Sequence, residues 1–457
     1  MTKRPPRVTV KMASMAGEGK AGRFAKLAGM TAQVAATYAK TRLTGAFQGA
    51  EAAAKDRARA YQASGERIAE TLGELKGAAM KIGQMASMQS DLLPKELALA
   101  LTKLQKEAPP MPYEVIAEQI QAELGRPPEA LYARFERTPF ASASIGQVHR
   151  ATTDDGREVV VKVQYPGIDR SVGSDLSHLR LALKASGLLR GTSKENMDAL
   201  FTEIRDRLEE ELDYSNEADN VRLFGRFHAQ HPFIVVPKVV GERSSQRVLT
   251  LEFQPGDTIH RLDEHRYTQE IRDRLGQHLY VLALSQLFEL QALHADPNPA
   301  NFAFRPDGTI VIYDFGCVKR LEPTLVRDYA KTLLAAIDED YQGVEDGLLA
   351  IGARRADGPP VELEYYRMWR NLILEPFTRP EPFDYGSSKL HEEFLKHAPG
   401  VLKRISSFQA PVQVVFIDRV ISGQYNNLRL IRARGRFVEL VRPWLERAVA
   451  TPLTSAS

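Results

Sequence analysis

Between residues 294 and 316 the chain sets out four side chains at intervals suited to phosphate chemistry. They are His294 and Asp296 in LHADPNPANFAF, Asn301 five residues after Asp296, and Asp314 in the YDFG that ends the strand-like TIVIY. Pro297, Asn298, Pro299 and Asn301 crowd into one short stretch, which excludes a helix interior or a central strand, so this is a polar loop. Apolar residues flank it on both sides and send it into a core. A hard divalent cation takes hard oxygen ligands, and the carboxylate of Asp314 and the amide oxygen of Asn301 are of that kind. Mg2+ held there would bridge the phosphate oxygens of ATP, with Asp296 beside the attacking hydroxyl or water as base or orienter. His294 is expected to brace the loop rather than react, and Cys317 to be a small buried residue.

The spacing H-x-D-x-x-x-x-N, followed by a short hairpin and DFG, is that of a protein-kinase catalytic loop, which needs a lysine and a phosphate-covering turn elsewhere. Val159-Val160-Val161-Lys162 matches V-A-I-K; on a strand, Lys162 points away from Val161 and Val163, toward the nucleotide. Ala141-Ser142-Ala143-Ser144-Ile145-Gly146-Gln147-Val148 aligns with G-x-G-x-x-G-x-V, but alanine stands at the first two glycine positions and puts methyl groups where backbone would approach phosphate. Nucleotide contacts are expected from Ala141, Ser142, Ala143, Ser144, Gly146 and Val148, with Lys162. Glu217 in ELDYSNEADN is the expected partner of Lys162, and Asp213 lies one turn earlier on the same face. Glu252, at the end of the last strand before Pro255-Gly256, is expected to meet adenine with backbone groups. After DFG, CVKRL runs straight to Glu322-Pro323, a helix start with proline in its first turn. The long segment and A-P-E that make a peptide platform in ordinary protein kinases are missing.

These residues need elements to hold them. Ile68, Leu72, Leu75, Ala79, Ile82 and Ala86 fall three or four apart and Pro94 closes the segment, which predicts a helix. Helical sequence continues through Leu101 and Ile116 to Leu131, broken at Pro109-Pro110. β-Branched runs on either side of Asp155-Gly156 predict a hairpin. Helical spacing returns over 196–224, strands at FIVVPKVV and RVLTLEF, and beyond Pro255-Gly256 almost everything is helical except NFAF and TIVIYDFG. Helices, a small β-rich lobe and then a helical lobe make an α+β, bilobal order.

The chain has 457 residues, 43% of them hydrophobic, enough for a sizeable core. Its single cysteine excludes an intrachain disulfide and a cysteine-built zinc site, and favours a reducing compartment. No apolar run is long enough to span a bilayer. Residues 1–50 hold nine Lys/Arg against one acid, Glu18, a net of +8 in a chain of net +3, which leaves −5 for the rest. Phe24, Leu27, Met30, Val34 and Tyr38 recur at helical spacing, so this basic head contains an amphipathic helix, and its charge suits an anionic partner, either a membrane surface or nucleic acid.

Taken together, KIGQ (Lys81 to Gln84), PFASASIGQVHRA, VVVKVQYPG, ELDYSNEADN, HADPNPAN and YDFG resemble the UbiB family of atypical, protein-kinase-like proteins, associated with ubiquinone and prenyl-lipid metabolism. The resemblance implies a bilobal kinase-like fold with an N-terminal helical extension, binding ATP and Mg2+ and acting as an ATPase or small-molecule kinase. It also implies that Lys81 and Gln84 sit on a helix folded over the active site and pair with Glu211 and Asp213. The expected organisation is a basic extension (1–60), a helical extension (61–135), an N-lobe with inserted helices (136–255) and a helical C-lobe (256–457). The family usually has HADPHPGN, so Asn298 and Ala300 depart from its pattern, and many members end in membrane-spanning helices. Expected partners are ATP, a lipid or prenyl-quinone-pathway ligand or enzyme, and an anionic membrane surface, with no nucleic acid. The expected location is cytoplasmic and peripheral to a membrane, or the mitochondrial matrix in a eukaryote. The competing readings are a non-catalytic, ATP-gated lipid-binding or chaperone protein and, last, a conventional protein kinase.

Overall fold

The computed structural model describes residues 110–452 apart from 144, 169–175, 178–179, 181–197, 199–200, 203–204, 206–208, 210–211, 264, 380 and 405. Lys81, Gln84, Ser144, Glu211, the basic head and the helix expected around Ile68 therefore lie outside the described residues, as does most of 196–211. The chain divides into two compact units. One takes the residues up to Tyr214 with Gly241–Thr250, the other Ser215–Val240 with everything from Leu251 onward.

In the first unit, α1 (Tyr113–Leu124) buries Ile116 and Ile120, one turn apart, and the short α2 (Pro128–Leu131) buries Leu131. β1 (Arg134–Phe135), β2 (Ala141–Ala143), β3 (Gly146–Thr152) and β4 (Glu158–Gln164) then build an antiparallel sheet. β3 pairs with β1, β2 and β4, and the outer partner of β4 is the later strand Val248–Glu252. The β3–β4 hairpin turns at Gly156, whose φ of 83° only glycine adopts without strain. Along β4 the two-residue period holds: Val159, Val161 and Val163 are buried while Val160 and Lys162 are half-buried on the other face.

The second unit takes all of α3 (Tyr214–His228) after its first residue. It also takes a three-stranded sheet in the order β5 (Ile234–Val235), β9 (Ile310–Ile312), β8 (Phe302–Phe304), the strand Val248–Glu252 being β6 and Ala292–His294 β7. β5 runs parallel to β9; β8 and β9 form the expected hairpin with Phe302 opposite Ile312. The strand expected over FIVVPKVV is cut to two residues, because Pro237 has no N–H to donate; Val239 adds one bridge to Leu251. α4 (Gln269–Ser285), capped by the Thr268 hydroxyl, runs into a π-helical turn at Gln286–Leu290 and then into β7. β7 pairs with β10 (Val318–Arg320), and β11 (Phe383–Asp384) with β12 (Arg434–Gly435). Neither pair was foreseen beyond Gly256: strands of two or three residues carry no readable period, and each exists because its partner does.

α5 (Pro323–Ile337), α6 (Tyr341–Ala350), α7 (Leu363–Ile373), α8 (Glu375–Thr378), α9 (Leu390–Lys403), α10 (Val412–Ile431) and α11 (Phe437–Ala450) complete the unit. Its core gathers Leu293 and Ala295, in and just after β7, with Val326 of α5, Phe416 and Ile417 of α10 and Leu445 of α11. Only Leu321 and Glu322 separate β10 from α5, so the expected shortcut after DFG is present. No helix among the described residues is long and apolar enough to cross a membrane.

Candidate active site

The loop after β7 is closed at its base and shaped from within. β10 and β7 set His294 opposite Val318, and the Ala295 N–H donates to the Cys317 carbonyl at 2.8 Å, so the DFG segment and the loop leave the same two-stranded ladder. Beyond Asp296 the Asn298 side chain accepts the Ala300 N–H at 3.0 Å and caps a single 3₁₀ turn, Pro299–Asn301. Asn298 thus makes a local cap within its own loop, and Ala300 is exposed, so neither departure from the family pattern disturbs the turn. Asn301 donates Nδ2–H to the Oδ2 of Asp296 at 3.0 Å and to its carbonyl at 3.1 Å, while the Tyr313 N–H donates to the Asn301 carbonyl at 3.0 Å. Asp314 accepts the Gly316 N–H at 2.9 Å through Oδ1. His294 donates from Nε2 to the Asp314 carbonyl. Asn301 with Asp296 and His294 with Asp314 are therefore two hydrogen-bonded pairs, and the Tyr313–Asn301 backbone bond ties their segments together.

The brace has supports that sequence reasoning missed. The His294 ring packs edge-on to Phe315, 5.3 Å between centroids, and Phe315 in turn meets Phe224 of α3 at 5.2 Å, while Asn220 donates to the Phe315 carbonyl at 3.1 Å. These contacts explain why α3 belongs to the second unit. On the other side Gln286, 2% exposed at the start of the π turn, accepts the His294 N–H through Oε1 at 3.1 Å and donates from Nε2 to Nε2 of His228 at 3.3 Å. His228 faces His231 at 3.3 Å between Nδ1 atoms. Burial, with a smaller contribution from His231, pushes the pKa of His228 down to about 3, so its ring is neutral and can accept. A π turn upstream of a loop is a known mark of functional sites, but its sequence, QLFEL, carries no signal of it.

The remaining expected residues are distributed over both units. Lys162 pairs across the ladder with Val148 and lies over the Tyr214 ring, Nζ 4.9 Å from its centroid. Ala141, Ser142 and Ala143 form β2, opposite Val148, Gln147 and Gly146. The alanines therefore sit in extended backbone that any residue adopts, and only Gly146 is constrained: a Cβ there would lie 2.2 Å from the Val163 carbonyl oxygen. Asp213 is pinned from both sides, since Gln164 donates to the Leu212 carbonyl at 2.8 Å and the Tyr214 N–H to that of Gln246 at 3.0 Å. In the second unit Glu217 is 3% exposed, in the first turn of α3. Glu252 gives its N–H to the Lys238 carbonyl at 2.8 Å, so any adenine contact from this residue must use its own carbonyl.

The donor set suits a cation carried in on phosphate. Among the described residues no group of three or more His, Cys, Asp or Glu could hold a metal unaided. Asp314 offers a carboxylate, and Asn301 an amide whose nitrogen is committed to Asp296, leaving Asn301 Oδ1 as the atom presented. Mg2+ is commonly bound by one or two such groups with phosphate and water completing its shell, so these residues fit it.

The profile of the ABC1 atypical kinase-like domain matches residues 103–347. The chain is 31% identical over 382 residues to a probable serine/threonine-protein kinase, abkA, of Dictyostelium discoideum, covering 79% of this chain and 66% of that protein. It is 32% identical over 371 residues to the mitochondrial atypical kinase COQ8B of Rattus norvegicus, covering 80% and 68%. The chain thus spans about two thirds of the length of these curated relatives. Among solved structures it resembles that of the Rv3197–erythromycin complex from Mycobacterium tuberculosis, with a TM-score of 0.62, 30% identity, and coverage of 83% of this chain and 95% of that one.

Proposed function

The chain belongs to the ABC1 atypical kinase-like family, and from that premise we propose that it binds ATP with Mg2+ and transfers the γ-phosphoryl group to water or to a small molecule of prenyl-lipid metabolism, at a membrane surface. The observation that supports this is the pairing of Asn301 with Asp296 beside an Asp314 whose carbonyl is held by His294, the two segments being tied by the Tyr313–Asn301 backbone bond. Asn301 Oδ1 and the Asp314 carboxylate would hold Mg2+, which when bound neutralises charge on the phosphate oxygens. Lys162 would reach the phosphates, with Glu217 as its carboxylate partner. Asp296 would orient the attacking hydroxyl: its oxygen bonds to the γ-phosphorus, the bond from that phosphorus to the bridging oxygen breaks, ADP departs, and the hydroxyl proton passes to Asp296 or to solvent. The two-residue link between β10 and α5 leaves no platform for a peptide, which favours water or a small acceptor.

Asp314→Asn tests the reading, because an amide cannot supply the charge that holds a divalent ion. Calorimetry on the full chain should show Mg·ATP affinity falling at least about tenfold. Unchanged affinity would remove the kinase-like role of this loop. For the membrane, co-sedimentation should show the full chain on anionic vesicles at low salt and a version lacking residues 1–45 largely released. Equal binding of both would take the basic head out of the proposal. ATP binding without phosphate release, with or without vesicles, would favour an ATP-gated binding protein.

A further inference from the structure

α10 touches the catalytic loop along one stripe. Arg419, Gly423 and Asn427 are spaced i, i+4, i+8, so they line a single helix face. Each meets the segment Asp296-Pro297. Arg419 Nη2 lies 3.6 Å from Asp296 Oδ1. A Cβ on Gly423 would stand 2.1 Å from Cγ of Pro297, so the helix seats the proline ring only because that position has no side chain. Asn427, fully buried, donates to the Pro297 carbonyl at 3.1 Å. The 293–304 loop contains no cation of its own, so Arg419 brings to Asp296 a charge that the loop lacks.

We infer that Arg419 is a positioning residue for phosphoryl transfer, carried on a helix whose register is set at Gly423 and Asn427 and acting through Asp296. The two carboxylate oxygens are treated differently. Oδ2 takes a hydrogen bond from Asn301, whereas Oδ1 is buried and has no hydrogen-bond donor. At 3.6 Å the guanidinium pairs with Oδ1 by charge alone, without occupying its lone pairs. The carboxylate is thereby turned and balanced on one side while its second oxygen remains an acceptor. This rests on the proposed role of Asp296, and the test separates the two.

Phosphate release and Mg·ATP affinity would be measured on the full chain for Asp296→Asn, Arg419→Met, Arg419→Gln and Arg419→Lys. Asp296→Asn should be inactive. Met and Gln should bind Mg·ATP within about twofold of the parent while kcat falls roughly 10- to 100-fold, the cost of a reacting group slightly misplaced. Lys should recover most of the loss, because a charge contact does not need the guanidinium fork. An inactive Asp296→Asn beside parent-like Met and Gln variants would overturn the inference alone; an active Asp296→Asn would overturn it together with the reading beneath it. If Met and Gln both fail to fold, or Lys is as impaired as Met, Arg419 serves the fold or a specific contact and the inference falls.

Discussion

Acid should loosen the second unit through one buried ring, His228. This residue is 2% exposed, against Phe224 and Phe227, and burial pushes its pKa from 6.5 down to about 3. Above pH 6.5 neither the folded nor the unfolded chain protonates it and there is no penalty. As pH falls below 6.5 the unfolded chain takes up a proton that the folded one refuses until about pH 3, so stability falls by about 1.4 kcal/mol per pH unit across that window. At pH 5 the loss from this residue is about 2 kcal/mol. His228→Phe removes the titration but leaves Gln286 Nε2 without its acceptor, a cost of about 1–2 kcal/mol at neutral pH. The variant should therefore be the weaker protein at pH 7.5, match the parent near pH 5.5, and be the stronger at pH 5. Both tryptophans, Trp369 and Trp444, lie in the second unit, so urea melts followed by their fluorescence report on it. A gap between variant and parent that stays the same from pH 7.5 to 5 would refute the reasoning.

Gly146→Ala should cost about 3 kcal/mol or more, because the Val163 carbonyl it would strike is fixed in the β3–β4 ladder; thermal denaturation measures it, and a loss under about 1 kcal/mol would mean the hairpin can shift. Gly423→Ala should push α10 from Pro297 and cost about 1–3 kcal/mol in urea melts, with phosphate release reduced well before Mg·ATP affinity changes.

The shape of the loop was legible because it depends on local order: His294, Asp296, Asn301 and Asp314 stand within one short stretch, and proline and asparagine admit few shapes. Lys162 was legible for the same reason, its face following from strand alternation. What could not be read depends on partners far away. Gln286 is an unremarkable residue at the end of a helical pattern until the π turn aims it at His294, and His228 looks like the polar end of α3 until packing buries it. Arg419, Gly423 and Asn427 do form a visible four-residue repeat on a helix whose inward positions are mostly apolar, but nothing in the sequence says which segment they face. The alanines at 141 and 143 seemed to threaten a wrap over phosphate; the strand geometry of β2 makes them ordinary, and the demand for glycine falls on 146 alone.

The seat that α10 gives Pro297 bears on what counts as a transplantable module. The family profile ends at residue 347 and α10 begins at Val412, so a protein trimmed to the recognised domain would retain the HADPNPAN and YDFG segments and lose the helix that supports the loop. Exchanging the 103–347 segment between relatives would likewise separate each Pro297-bearing loop from the helix it was selected with. Loop and helix should then change together over evolutionary time, one retaining glycine where the other presents a proline ring, although well over a hundred residues of chain lie between Pro297 and Gly423.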